Sequence, residues 1–85
     1  SMIGSGIYPG DLLIVDRSIK PRNNSIIIAV LDGELSVKIL KIENKQVCLS
    51  SSNKNYIDVL VSEEMDFTIW GVCTNVVHSL SPKNR

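Results

Sequence analysis

Eighty-five residues make one domain at most, at a size where a single hydrophobic core only just suffices. Apolar residues are 44% of the chain and aromatics only 5%, so the core must rest on Ile, Val and Leu, a mix that favours strands. Nine basic and nine acidic residues cancel, which removes the phosphate-gripping footprint of a nucleic-acid binder, and no apolar run approaches the roughly 20 residues of a membrane span.

No charged-then-apolar leader is present, so the expectation is a soluble cytoplasmic protein with no direct nucleic-acid contact and no membrane contact. The chain opens with SMIGSGIYPGDLLIVD, a Ser- and Gly-rich loop running into a short buried strand over Asp11 to Asp16. The turn cluster KPRNNS (Lys20 to Ser25) precedes IIIAVL (Ile26 to Leu31), which is apolar on both faces. Asp32 and Gly33 form the strongest short-range hairpin signal, a two-residue type I′ turn, so ELSVKILKI must fold back antiparallel onto SIIIAVL.

A second turn at Glu43 to Lys45 leads to the strand QVCLS, and the polar tract SSSNKN (Ser50 to Asn55) is a loop. Strand material follows at Tyr56 to Val61 and Asp66 to Leu80, the latter interrupted by Gly71, which predicts a bend or bulge. Between them VSEEMD offers a single helical turn at most. The sum is an all-β domain of six or seven strands over residues 1–80, a small curled or barrel-like and mostly antiparallel sheet, with 81–85 as a disordered tail. Cys48 and Cys73, without a CxxC and with only one histidine in the chain, read as buried free thiols. No metal or cofactor is expected.

A serine hydroxyl is a poor nucleophile until a base takes its proton, so Ser1 as a nucleophile requires a partner. His78, in NVVHSL, lacks a carboxylate in any recognisable order and reads as an edge or surface residue. Lys38 interrupts the apolar strand LSVKIL: Leu35, Val37 and Ile39 share one face, and Ser36, Lys38 and Leu40 share the other. Taken alone such a lysine more often snorkels to solvent, a reading that suits Lys41 and Lys45 better than Lys38.

Together SMIGSGIYPGDLLIVD, IIIAVLDGELSVKILK and FTIWGVCTNVVHSL resemble the catalytic domain of the LexA/UmuD family of self-cleaving serine peptidases, most closely its UmuD branch. Two motifs carry the likeness: Ser-Met followed by a Gly-rich stretch ending in GDLLIVD, and DGE followed by a strand bearing Lys38. The resemblance implies that Ser1 is the nucleophile and Lys38 the general base, with the backbone N–H groups of Ser1 and Met2 as the oxyanion hole. It further implies a homodimer. In the UmuD branch the processed form serves as accessory subunit of a UmuC-like Y-family translesion polymerase. Self-cleavage in the family belongs to the SOS response to DNA damage and is stimulated by a RecA-type recombinase filament on single-stranded DNA.

The physical case for the pair is independent of the name. A lysine acts as a base only when neutral, and its reference pKa of about 10.4 keeps it charged at neutral pH. Burial in an apolar strand lowers that value, and Lys38 has no acid nearer along its strand than Glu34 or Glu43. Gly4 and Gly6 are expected to let a substrate strand approach. Gly4 is also a departure, since the family usually has an acidic or polar residue at that position.

The sequence begins at the serine and so reads as a fragment without the strands, arm and scissile bond that precede the serine in the family, which leaves an open sheet edge. Three other classes remain. An N-terminal nucleophile hydrolase would use the α-amine of Ser1 but needs helical layers that this sequence lacks. A LexA-type or phage repressor shares the same C-terminal autoproteolysis and dimerisation domain. A non-catalytic polymerase-binding module needs neither Ser1 nor Lys38. The last strand, apolar on both faces at Phe67, Ile69, Trp70, Val72, Val76 and Val77, is expected at a twofold interface.

Overall fold

The computed structural model describes residues 2–53 and 55–80. Six strands, β1 (Leu12–Asp16), β2 (Ile26–Leu31), β3 (Glu34–Glu43), β4 (Gln46–Ser50), β5 (Val59–Leu60) and β6 (Phe67–Val77), form one antiparallel sheet in the order β1-β6-β2-β3-β4-β5. The sheet is open, with β1 and β5 at its edges. The fold class is all-β, as the residue mix requires, and a 3₁₀ turn at Ile3–Ser5 precedes the first strand.

Two hairpins set the register. Asp32 and Gly33 both have positive φ, 50° and 83°, the type I′ geometry that the dipeptide predicts, and Leu31 pairs with Glu34 across it. The next turn uses Asn44 and Lys45 at φ 51° and 65°, a left-handed pair without glycine, and Glu43 pairs with Gln46. From there the β2–β3 ladder runs from Leu31↔Glu34 to Ile26↔Ile39, and the β3–β4 ladder from Glu43↔Gln46 to Ile39↔Ser50.

Because β3 has ten residues and β4 five, only the Ile39–Glu43 half of β3 is paired with β4. The other half, which carries Lys38, is laddered to β2.

The last strand returns to the middle of the sheet, between β1 and β2, and the two ladders it makes each contain a bulge. Against β2 the register passes from Ile28↔Gly71 to Ala29↔Ile69, which leaves Trp70 as the extra residue. Against β1 it passes from Ile14↔Asn75 to Val15↔Cys73, which leaves Thr74. Gly71 marks the irregularity as expected, and its reason is steric: a Cβ there would strike the Val15 side chain, with Arg17 Cγ also close at 3.3 Å.

The core lies on the face that Ile27, Ala29, Leu40, Leu49 and Val72 share, with Leu31, Phe67 and Ile69 packed around them. Ile27 and Ala29 are fully buried, and Leu40 and Leu49 are 2% exposed. Each buried Ile, Leu or Val side chain among them contributes about 1.5–3 kcal/mol.

Four expected elements differ. The first strand, expected to be buried over Asp11 to Asp16, is the edge strand Leu12–Asp16, with Leu12 and Ile14 well exposed because only β6 pairs with it. The strand expected over Tyr56 to Val61 contracts to Val59–Leu60, because side-chain bonds of the preceding polar tract hold the backbone in turns. The final strand ends at Val77 rather than Leu80. VSEEMD makes a hydrogen-bonded turn, Met65 N–H to Ser62 O at 3.1 Å, and no helix. The expected tail at 81–85 lies outside the described residues.

Cys48 and Cys73 are free thiols as expected, but half-buried rather than buried. Burial is the main cause that pushes both thiols above their ordinary range, and for Cys48 the carboxylates of Asp58 and Glu43 add to it against Lys41.

Candidate functional site

The segment after Ser1 is built around one carbonyl. Met2, only 4% exposed, accepts from the N–H of Ser5 at 3.0 Å and of Ile7 at 3.2 Å, which coils the Ser-Met loop into its 3₁₀ turn. Both bonds use the Met2 carbonyl, so the turn does not draw on the N–H expected in the oxyanion hole. Gly6, at φ 84°, reverses the chain out of the turn. Ser1 itself lies outside the described residues, and with it the nucleophile and the first oxyanion donor expected from the sequence.

Gly4 is where the structure corrects the expectation that glycine serves an approaching substrate strand. A Cβ at this position would stand 2.9 Å from both Cβ and the carbonyl oxygen of Ser52, so its missing side chain is used by the loop that follows β4. The hydroxyls of Ser5 and Ser52 are hydrogen-bond partners at the same contact.

Tyr8 to Asp11 forms the next turn. Pro9 and Gly10, the latter at φ 89°, occupy its centre in the pattern of a type II turn, and Asp11 N–H donates to Tyr8 O at 3.0 Å. The Asp11 carboxylate, 3% exposed, accepts from Tyr8 N–H at 2.8 Å and stands 2.6 Å from His78 Nδ1. The Tyr8 and His78 rings lie 5.5 Å apart, tilted by 51°.

His78 therefore has the carboxylate that no sequence order revealed, a correction with a simple cause. Leu12 pairs with Val77, and one step further out the antiparallel register brings Asp11 beside His78.

Lys38 lies on the core-facing side of β3. It shares its face with Leu40 and stands directly across from the fully buried Ile27, on a strand, β2, that contains no charged residue. Its side chain is half-buried, and its Nζ lies 5.7 Å from the centroid of the Tyr56 ring. Its neighbours behave as solvent lysines. Lys41 Nζ donates to Asn24 Oδ1 at 2.6 Å on the exposed surface, and Lys45 sits exposed in a turn.

Tyr56 and Ser52 are the residues that sequence reasoning missed. The available signal was a lone aromatic at the end of a polar tract. A cleft of about 130 Å³ opens between residues 5–7 and the sheet, lined by Ser5, Ile7, Leu13, Ile26, Cys73 and Val76 among others. Among the described residues no group of three or more His, Cys, Asp or Glu side chains could hold a metal ion.

The family model described as "Peptidase S24-like" matches residues 1–74, which include the Ser-Met loop, both halves of the DGE hairpin and Lys38. The chain belongs to the peptidase S24 family. This is the LexA/UmuD family that its motifs resemble.

Among its relatives, Protein ImpA of Salmonella typhimurium is 38% identical over 78 residues, covering 92% of this chain and 52% of the relative. The LexA repressor of Stenotrophomonas maltophilia is 38% identical over 72 residues, covering 85% and 34%. The LexA repressor of Dechloromonas aromatica is 34% identical over 84 residues, covering 98% and 42%. The chain thus spans between about a third and a half of the length of the curated relatives it matches.

Proposed function

We propose that this S24 chain is the UmuD-type catalytic domain of a serine peptidase that cleaves its own polypeptide, with Ser1 as nucleophile, Lys38 as general base and the Ser1 and Met2 N–H groups as oxyanion donors. The observation that carries the reading is the position of Lys38: a lysine on the core face of a strand, opposite a fully buried isoleucine, within the segment that matches the family. A base must be neutral to take the serine proton, and no residue of β2, the strand directly across from Lys38, carries a charge. The half of β3 that carries Lys38 is laddered on its β2 side, so its far edge suits an extended substrate segment adding as a strand.

The biological setting follows from the same family reading. The processed chain acts as a cytoplasmic homodimer and accessory subunit of a Y-family translesion polymerase, with cleavage promoted by a recombinase filament on single-stranded DNA during the SOS response. Trp70, Val76 and Val77 of β6, 43%, 39% and 51% exposed, support the twofold interface expected of that strand, whereas Phe67, Ile69 and Val72 pack in the core instead. Sedimentation at micromolar concentration is expected to give a dimer, and a monomer alone would count against that interface.

Relatives that are named repressors favour a second reading, a repressor's C-terminal domain, and weighing and sequencing the full-length protein separates the two. A short arm before Ser1 means the UmuD type, and a helix-turn-helix head means the repressor.

The chemical test is self-cleavage of the full-length chain. Ser1→Ala and Lys38→Ala are each expected to abolish it while leaving the fold intact, and cleavage by the wild type should rise with pH. Lys38→Arg is the sharper variant, since arginine keeps the charge and cannot serve as a base. Cleavage by that variant at the wild-type rate would remove Lys38 from the mechanism. The Asp11–His78 pair is then the next base to test.

A further inference from the structure

We propose that Tyr56 and Ser52 are positioning residues, and that the loop after β4 on which they stand is the bridge that holds the Ser1 loop in place against Lys38. The inference rests on the Ser1/Lys38 reading above and names the part of the molecule that aligns its two halves. Those halves come from different places, a coiled segment at one end of the sequence and the middle of a ten-residue strand.

One loop touches both. β4 ends at Ser50, across from Ile39, the residue next to Lys38 on β3, so the loop leaves the sheet close to Lys38. At its near end Ser52 bonds to the Ser5 hydroxyl and packs its Cβ and carbonyl against Gly4, at a distance that excludes any side chain there. At its far end Tyr56 sets its ring over Lys38 Nζ, 5.7 Å from the centroid.

Described residues of this loop bond to one another. Asn53 N–H donates to Ser51 Oγ at 3.2 Å, Asn55 N–H to Asn53 Oδ1 at 2.9 Å, and Tyr56 N–H to Asn53 O at 3.0 Å. These bonds tie Tyr56 to Asn53, the residue after Ser52. The ring fixes the direction of a long flexible side chain, and the Gly4–Ser52 contact fixes the depth of the Ser-Met turn. Geometry of this kind decides how well a nucleophile and its base meet, and a displacement of about 1 Å costs up to about 100-fold in rate.

The test is the first-order rate of self-cleavage of the full-length chain, with thermal unfolding measured on every variant. Tyr56→Leu, which keeps apolar bulk and loses the ring, is expected to slow cleavage about two- to fivefold, because the flexible Lys38 side chain loses the flat face that orients it. Tyr56→Phe is expected to recover most of the rate, because the ring face and not the phenol hydroxyl meets Lys38. Gly4→Ala is expected to slow cleavage by about 10- to 100-fold by pushing the turn off Ser52.

Combined, Gly4→Ala and Tyr56→Leu should lose less than the product of their separate losses, since both act through one bridge. Leu and Phe at position 56 cleaving equally fast, or a double variant that loses the full product, would overturn the proposal. If Gly4→Ala does not fold, the Leu and Phe pair decides alone. Cleavage by Ser1→Ala or Lys38→Arg would overturn the dyad itself. Loss of cleavage in those two, with wild-type rates in Gly4→Ala and Tyr56→Leu, would overturn only the bridge.

Discussion

The centre of the sheet and the loop after β4 are held by different forces. In β2 the backbone is laddered on both sides, to β3 and β6, and Ile27 and Ala29 have no exposed surface at all. In the loop the backbone is held by Ser and Asn side chains, and the apolar residues Tyr56 and Ile57 stand 51% and 90% exposed. The first region gains its stability from burial, and the second from local hydrogen bonds. That division fits a scaffold that carries a reactive site on its margin, where loops can be shaped without disturbing the core. It also separates two kinds of substitution, those that change stability and those that change rate.

The largest effect on stability is expected at Ile27. Ile27→Ala removes a fully buried side chain between Lys38 and Val72, and should cost about 2–5 kcal/mol in denaturant unfolding. A cost under about 1 kcal/mol would mean that the sheet centre is as forgiving as the loop. Gly71→Ala comes next, at about 1–3 kcal/mol, because the new methyl meets Val15, a β-branched side chain that is stiff about its first torsion. Loss at this site should be seen first as release of β1 from β6, through faster amide exchange at Leu13 and Val15.

What the sequence disclosed follows the same division. IIIAVL over Ile26–Leu31 and QVCLS over Gln46–Ser50 were legible to the residue, and the Asp-Gly turn fixed which strands pair. Local patterns suffice there, because a strand's alternation and a type I′ turn are properties of neighbouring residues. The face of Lys38 was legible for the same reason. Gly4 was misread, since its use depends on Ser52, 48 residues on, and no local rule connects them. The Asp11–His78 pair was missed on the same ground, since it reflects a register between the two ends of the chain. The short β5 was missed for a local reason, the side-chain bonds within a polar tract.

His78→Ala tests a contact between these two regions, where the end of β6 is fastened to the Tyr8–Asp11 turn. The substitution removes the partner 2.6 Å from a carboxylate that is 3% exposed, while Asp11 keeps its bond from Tyr8 N–H. A loss of about 1 kcal/mol is expected, with self-cleavage at the wild-type rate if Lys38 is the base. Unchanged stability would place the pair among ion contacts that contribute nothing measurable.

The smallest effect concerns Cys48, which lies directly across the sheet from Lys41 and Leu60 near the margin of β4. Its thiol is pushed up first by burial and then by Asp58 and Glu43, against Lys41, so it should react slowly with disulfide reagents at neutral pH. A thiol whose folded value is raised contributes stability that is fully present below its unfolded value, about 8.5, and is lost as the pH rises through the folded value. Both cysteines therefore predict a shallow fall in stability on the alkaline side and none on the acid side.

Asp58→Asn removes one of the two carboxylates and should make Cys48 modestly more reactive, leaving Cys73, raised by burial alone, unchanged. Rates measured with the two thiols resolved by mass spectrometry would show it. A gain as large as full exposure of the thiol would reverse the order of causes, and would mean that charge at the sheet margin, rather than burial, governs Cys48.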